Sequence, residues 1–278
     1  MTQAPRQSTH THAACCVRRA AYLLFVLLLC STAAHAQQPS EQTPSQRAIE
    51  RERHRLASSE TEERRDAVMR LGWMKRPDSS RVAAAALKDS SEIVRATAAT
   101  AVLSLPAEEA AAVLLPLLQD KKEFVRQEAA YALGQTRSRT AVTGLIVALE
   151  KDKYPSVRGA AAVALGLIGD QDAASHLAEQ IDRRRKKKEN NEFVLRAVAR
   201  SLGQIKHPIA VPALINLMAD KSASDDVRRE AARALGLIGD PAAVPALRSM
   251  LAAGDPYLSR LAYEALLKIS PADAVRPS

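Results

Sequence analysis

Side chains able to do acid–base or metal chemistry are few and scattered. Beyond residue 36 the chain keeps three histidines, His54, His176 and His207, none with another at metal-ligand spacing. All three cysteines, Cys15, Cys16 and Cys30, lie before that point. No phosphate-binding loop, dinucleotide fingerprint, Gly-x-Ser-x-Gly elbow or zinc motif is present. Carboxylates are plentiful but stand singly in turns or in exposed pairs such as Glu108-Glu109 and Asp225-Asp226, with no placement that argues for general acid–base work. No catalytic, cofactor-binding or metal residue is therefore assigned, and no enzyme activity is expected. One charged feature stands out, the run Arg183-Arg184-Arg185-Lys186-Lys187-Lys188 followed by Glu189-Asn190-Asn191. Six adjacent cations repel one another, so the run reads as a solvated loop or an extension of the preceding helix. Its functional reading is a contact for lipid head groups, acidic polysaccharide or an acidic protein. Nucleic acid is disfavoured, because no aromatic side chains interleave with the cations to stack on bases.

The first 36 residues read as a secretory signal peptide: Arg18 and Arg19 precede an apolar stretch over 20–30, which ends in the small-residue pair Ala34-x-Ala36. The stretch is shorter than the roughly 20 residues that a bilayer core needs. Cleavage after Ala36 predicts a periplasmic or secreted protein with no transmembrane segment. It also removes every cysteine, so the mature chain has no disulfide, thiol nucleophile or cysteine metal site. The loss of Arg6, Arg18 and Arg19 takes the formal charge from +9 to +6. A lipid-modified Cys30 is the other option, disfavoured by the bulky Leu28 and Leu29 before it.

Past a polar linker and possible capping helix over 37–58, the chain repeats itself. Val125-Arg126-x-x-Ala129-Ala130-x-Ala132-Leu133-Gly134 returns as Val157-Arg158-x-x-Ala161-Ala162-x-Ala164-Leu165-Gly166 and as Val227-Arg228-x-x-Ala231-Ala232-x-Ala234-Leu235-Gly236. Degenerate copies run over 64–72, 94–103 and 194–203, where Leu195 replaces the arginine, and a half-copy over 258–269. Equivalent positions 72, 103, 134, 166, 203, 236 and 268 lie 31 to 37 residues apart, one helical hairpin per period. The apolar spacing of three and four residues is helical. With aromatics at 3% and hydrophobic residues at 47%, the core must be thin and rich in alanine and leucine.

Gly169-Asp170 and Gly239-Asp240-Pro241 supply a residue tolerant of positive φ, then a cap for the second helix. His207 falls in the same capping column, before Pro208. The glycine column at 134, 166, 203 and 236 lies inside the first helix, where glycine is unfavourable by about 1 kcal/mol, so a neighbouring helix must approach closely there. Asp89, Asp120 and Asp152 stand six residues before Arg95, Arg126 and Arg158, which predicts a stacked ladder of charge-assisted bonds. Trp73 and Met74 are expected to close the N-terminal end of the stack by packing.

These motifs resemble the HEAT repeats of the phycobilisome-lyase-like class over roughly residues 59–270. The resemblance implies an all-α right-handed superhelix of about six hairpins over 59–278. It says little of activity, since similar repeats serve in bilin lyases, in a di-iron hydroxylase and in scaffolds. That hydroxylase relies on His-Glu pairs, and this chain has no His-Glu dipeptide. The leading expectation is an exported scaffold binding a protein or peptide through second-helix positions Arg139, Thr143, Glu179, Asn216 and Arg248, with an anionic envelope component as a further partner for 183–188. The alternative is a chromophore-handling protein like the bilin lyases, or an enzyme accessory subunit.

Overall fold

The computed structural model describes residues 43–187 and 191–274, with side chains omitted for 184–187. The signal-peptide reading, the start of the linker, Lys188 and the side chains of Arg184, Arg185, Lys186 and Lys187 lie outside the described residues. The chain divides into Met1–Arg47 and Ala48–Ser278. Of the first unit, the described part is the start of a helix, α1 (Pro44–Arg55), opened by a reciprocal cap in which the Gln46 amide donates to Thr43 Oγ1 and the Thr43 amide to Gln46 Oε1.

The second unit is an all-α stack with no strand among the described residues. Its helical pairs follow the sequence period: α2 (Thr61–Trp73) with α3 (Pro77–Ala83), α4 (Glu92–Ala101) with α5 (Ala107–Leu114), and α6 (Glu123–Thr136) with α7 (Val142–Lys151). Next come α8 (Pro155–Ile168) with α9 (Ala173–Lys187), α10 (Glu192–Ile205) with α11 (Val211–Ala219), α12 (Asp225–Ile238) with α13 (Val244–Met250), and finally the unpaired α14 (Pro256–Ile269). That is six hairpins and a half. The helix α9 continues through Lys187, so the basic run begins as an extension of that helix. Cations at a helix C-terminus complement its dipole.

The turns obey the chemistry read from sequence, and extend it. Gly169 and Gly239 take φ of 73° and 77°, and Asp170, His207 and Asp240 then accept the amide two residues on, at 2.8 to 3.1 Å. Lys75, Arg137 and Lys206 adopt the same left-handed conformation without glycine, which costs on the order of 1 kcal/mol each. The stack, not local preference, sets these turns.

The glycine column is where first helices nearly touch. A Cβ on Gly134 would sit 2.6 Å from Ala164 Cα, and one on Gly203 would sit 2.9 Å from Ala234 Cα. Gly236 faces Ala265 in the same way. Each glycine thus meets the residue two before the next column position, which makes the seventh position Leu267 rather than Lys268. The buried Ser259 therefore takes the arginine column in α14, and Arg260 follows it. Between the glycine contacts the core is alanine with leucine; Leu71, Leu133, Leu165, Leu202 and Leu235 are fully buried.

Trp73 departs from expectation, being 73% exposed. Leu71 and Val68 occupy the inward face of α2, and a residue two after Leu71 points about 200° round the helix, into solvent. Met74 does pack against the core.

Arginine joins the repeats. Arg95 donates from Nε and Nη2 to Asp120 of the next repeat at 2.7 and 2.9 Å. Its Nη1 donates to the Asp89 and Ser90 carbonyls of its own loop at 2.8 and 3.1 Å. Arg64 binds Asp89, and Arg126 binds Asp152, in the same way. Each aspartate also caps a turn, as in Asp120 Oδ1 accepting the Lys122 amide at 2.9 Å. Arg158 bonds the Asp152 and Lys153 carbonyls at 2.7 and 3.0 Å. Past the long spacing the buried Leu195 fills the arginine position. Ser201 there donates to the Ala162 carbonyl at 2.7 Å, and Phe193 covers Gly159. In α12 the pair forms one residue late: Arg228 donates to the Met218 carbonyl, while Arg229 binds Asp255 at 2.8 and 2.9 Å.

These bonds hold the carboxylates of Asp89 and Asp255 below their usual range, mainly through Arg64 and Arg229. For Asp120 and Asp152 burial pushes upward, but the arginine and the capping amide outweigh it, so both are also lowered. A lowered carboxylate contributes stability that is present above its unfolded pKa of about 4 and is lost as pH falls through the folded value. The parent should therefore lose stability on acidification below about pH 4. Replacing Asp120 with Asn should remove about 2–3 kcal/mol at pH 7 and make the acid loss shallower in urea titrations run at pH 7 and pH 3. Equal slopes for both proteins would mean that the ladder does not carry the acid response. Separately, Gly134→Ala, which gains about 1 kcal/mol in an ordinary helix, should here lose about 1–3 kcal/mol through overpacking on Ala164; a raised melting temperature would contradict the close approach.

Candidate functional site

Two positions of the first helices, open to solvent in some repeats and buried in others, change along the stack while the core does not. Counting seven and three residues back from the glycine column gives Ala96 and Thr100 in α4, Gln127 and Tyr131 in α6, and Gly159 and Val163 in α8. The same two positions hold Arg196 and Arg200 in α10, Arg229 and Arg233 in α12, and Arg260 and Glu264 in α14. Residues four apart share a helix face, so the last three first helices present adjacent arginine columns.

These arginines line an open groove of about 500 Å³, together with Asp226, Glu230, Tyr257, Leu261 and Glu264. Arg200 Nε donates to Glu230 Oε1 at 3.2 Å, Arg196 lies 3.9 Å from Asp226, and Arg260 binds Glu264 at 2.9 Å within its own helix. The Glu230 bond raises the Arg200 pKa further. Arg229 stacks on the Tyr257 ring, 4.9 Å from its centroid, while its Nε and Nη2 hold Asp255 and its Nη1 donates to Asp226 at 3.2 Å. A second cleft, of about 630 Å³, lies at the other end between the α1–α2 turn and α3, walled mainly by Leu56, Ala57, Val82 and Ala85.

Second-helix positions singled out from sequence do not converge on either cleft. Arg139 binds the buried Asp170 at 2.6 Å, Glu179 binds Arg183 at 2.6 Å, and Arg248 binds Asp273 at 3.0 Å. Thr143 and Asn216 are exposed. The groove was missed because the repeats were aligned for what recurs, and its signal is a column that changes. His176 Nδ1 is 2.8 Å from Glu150, linking two second helices. Burial raises the pKa of Glu128, and also that of Tyr131, which lies beside it in α6. Among the described residues no group of three or more His, Cys, Asp or Glu is placed to hold a metal ion. Nor is any described helix long and apolar enough to cross a membrane.

The family described as HEAT repeats matches residues 53–134, 112–189 and 218–277. The chain belongs to the HEAT-repeat family. The PBS lyase HEAT-like repeat also matches, over 194–220. The HEAT stack is 34% identical over 73 residues to an uncharacterized protein in the gldA 3' region of Geobacillus stearothermophilus, covering 26% of this chain and 34% of that one. It is 43% identical over 61 residues to deoxyhypusine hydroxylase of Saccharomyces cerevisiae, covering 22% and 19%. The matches thus span about a third and a fifth of these relatives. The X-ray structure of YIBA_ECOLI superposes with a TM-score of 0.59 at 21% identity, over 81% of each chain. That likeness concerns the fold.

Ion pairs in the groove are exposed, with Arg200 at 57% and Arg196 at 47%, and such pairs contribute at most about 1 kcal/mol. Replacing Arg196, Arg200 and Arg233 together with glutamine should leave the stability within about 1 kcal/mol of the parent, measured by urea unfolding. A larger loss would make the columns structural.

Proposed function

We propose that this HEAT solenoid is an exported binding module for a protein or peptide partner, with no catalysis of its own. The observation that carries this reading is the groove itself: side chains from three successive first helices meet in one open surface, a shape suited to an extended chain, whereas small-molecule sites are enclosed and mostly apolar. The titratable groups of the stack are engaged in joining repeats rather than gathered around one reacting centre. Export rests on the leader-like segment over 1–36 and on the absence of cysteine beyond it.

Hydroxylase chemistry is not carried over from the yeast relative, because the shared stretch is a fifth of that protein and this sequence has no His-Glu dipeptide. The basic run 183–188 offers a separate anionic contact, for an acidic envelope component.

The full chain, expressed with its own N-terminus, should appear in the periplasmic or secreted fraction with an intact mass that begins at Gln37. It should co-purify with a stoichiometric protein partner. Retention of the first 36 residues would reject export, and a bound pigment or metal in place of a protein would favour the chromophore-handling reading.

A further inference from the structure

Within the reading of the chain as a binding module, we propose that the groove over α10, α12 and α14 binds an extended acidic segment of the partner, with Arg196, Arg200, Arg233 and Arg260 receiving its carboxylates. The first observation is the switch along the columns. Three consecutive first helices carry neutral residues at both positions, and the next three carry five arginines in six places. Burial accounts for the small residues Ala96 and Gly159, but Thr100, Gln127, Tyr131 and Val163 are open or half-open, and the core alanines, leucines and glycines are alike on both sides of the switch.

Charge is the second observation. Five guanidinium groups line the groove against the three carboxylates of Asp226, Glu230 and Glu264. Arg229 is committed to Asp255 outside it and to Asp226 within it. Arg233 is exposed and makes no ion pair or hydrogen bond among the described residues. Arg196 and Arg260 make single contacts and Arg200 holds Glu230 through Nε and Nη2, so each guanidinium keeps donors beyond those its partner takes. A peptide carboxylate can add to such a fork without displacing its partner.

Spacing selects an extended chain. Packed helices lie about 8–10 Å apart, and three residues of polyproline-type backbone rise about 9 Å. An acid at every third position would therefore meet Arg196 and Arg200, then Arg233, then Arg260 in successive repeats. Tyr257, 67% exposed, and Leu261 offer apolar surface between the charges for the residues in between. A nucleic acid suits the groove less well: its phosphates form an unbroken line of charge, and Asp226, Glu230 and Glu264 interrupt the arginines at each step.

The probe is a fluorescein-labelled twelve-residue peptide of four Glu-Ala-Ser units, with a Lys-Ala-Ser counterpart and a twelve-nucleotide oligothymidine as comparisons, all titrated by anisotropy. The parent should bind the glutamate peptide saturably and at least about tenfold more tightly than either comparison. That affinity should fall with added salt, because exposed charges are screened within about 10 Å at 0.1 M ionic strength. The Arg196→Gln/Arg200→Gln/Arg233→Gln protein, with its helical circular dichroism unchanged, should bind about tenfold or more weakly, while Arg65→Gln, in the same column of α2, should bind as the parent does. Equal binding by parent and triple variant, or tighter binding of oligothymidine, would overturn the proposal. Co-purification separates the two readings. A partner held equally by parent and triple variant refutes the groove and keeps the module; a parent that captures no protein refutes the module, while the peptide titration still decides the groove.

Discussion

The structure depends on one guanidinium doing two things. In each regular repeat an arginine near the start of the first helix ties down one or two carbonyls of its own loop and, with its other nitrogens, the aspartate of the next repeat. Only a planar fork of five donors can do this; a lysine would satisfy one side and leave the other. The bond fixes how far apart successive loops lie, and so how closely successive first helices run. At that separation there is room for alanine facing glycine and little else. The thin core, the scarcity of aromatics and the glycines inside helices all belong to this close spacing, which α10 keeps at Gly203 with Leu195 in place of the arginine.

A surface liberated from structural duty is the other result. Burial, turns and ladder occupy the inward face and the loops, which leaves the outward face of each first helix to vary. Over α4, α6 and α8 that face is neutral, and over α10, α12 and α14 it is arginine-rich. The two halves share a fold and differ in what they can meet.

The fold was legible because repetition multiplies weak signals. One Val-Arg with a glycine eight residues after the arginine says little, but several at a period near 32 establish the hairpin, its turns and the histidine that serves as a cap. Three things were not legible. Trp73 looked like a plug because it is large, yet its position two residues past Leu71 turns it outward. The arginine of α12 is shifted by one, since Arg228 and Arg229 are adjacent and only the loop ahead of them decides which reaches Asp255. The partners of the second-helix residues were not readable either: Arg139 pairs with Asp170, Glu179 with Arg183 and Arg248 with Asp273, contacts that only the assembled helices bring about. The groove needed the stack to be assembled, since its members come from three separate helices.

The ladder also has a direction, each repeat offering an arginine forward and an aspartate backward. A unit of that kind is a monomer with two complementary ends, and head-to-tail contacts that do not close into a ring grow into fibres. Six residues before Arg64, where the aspartate column would begin, stands Ser58; in α14, where the last arginine would project, stands Ser259, its hydroxyl turned onto the Ala253 and Asp255 carbonyls of its own loop. Serine thus stands at both termini of the ladder, and the two column positions that would reach beyond the stack carry a neutral hydroxyl in place of an ion.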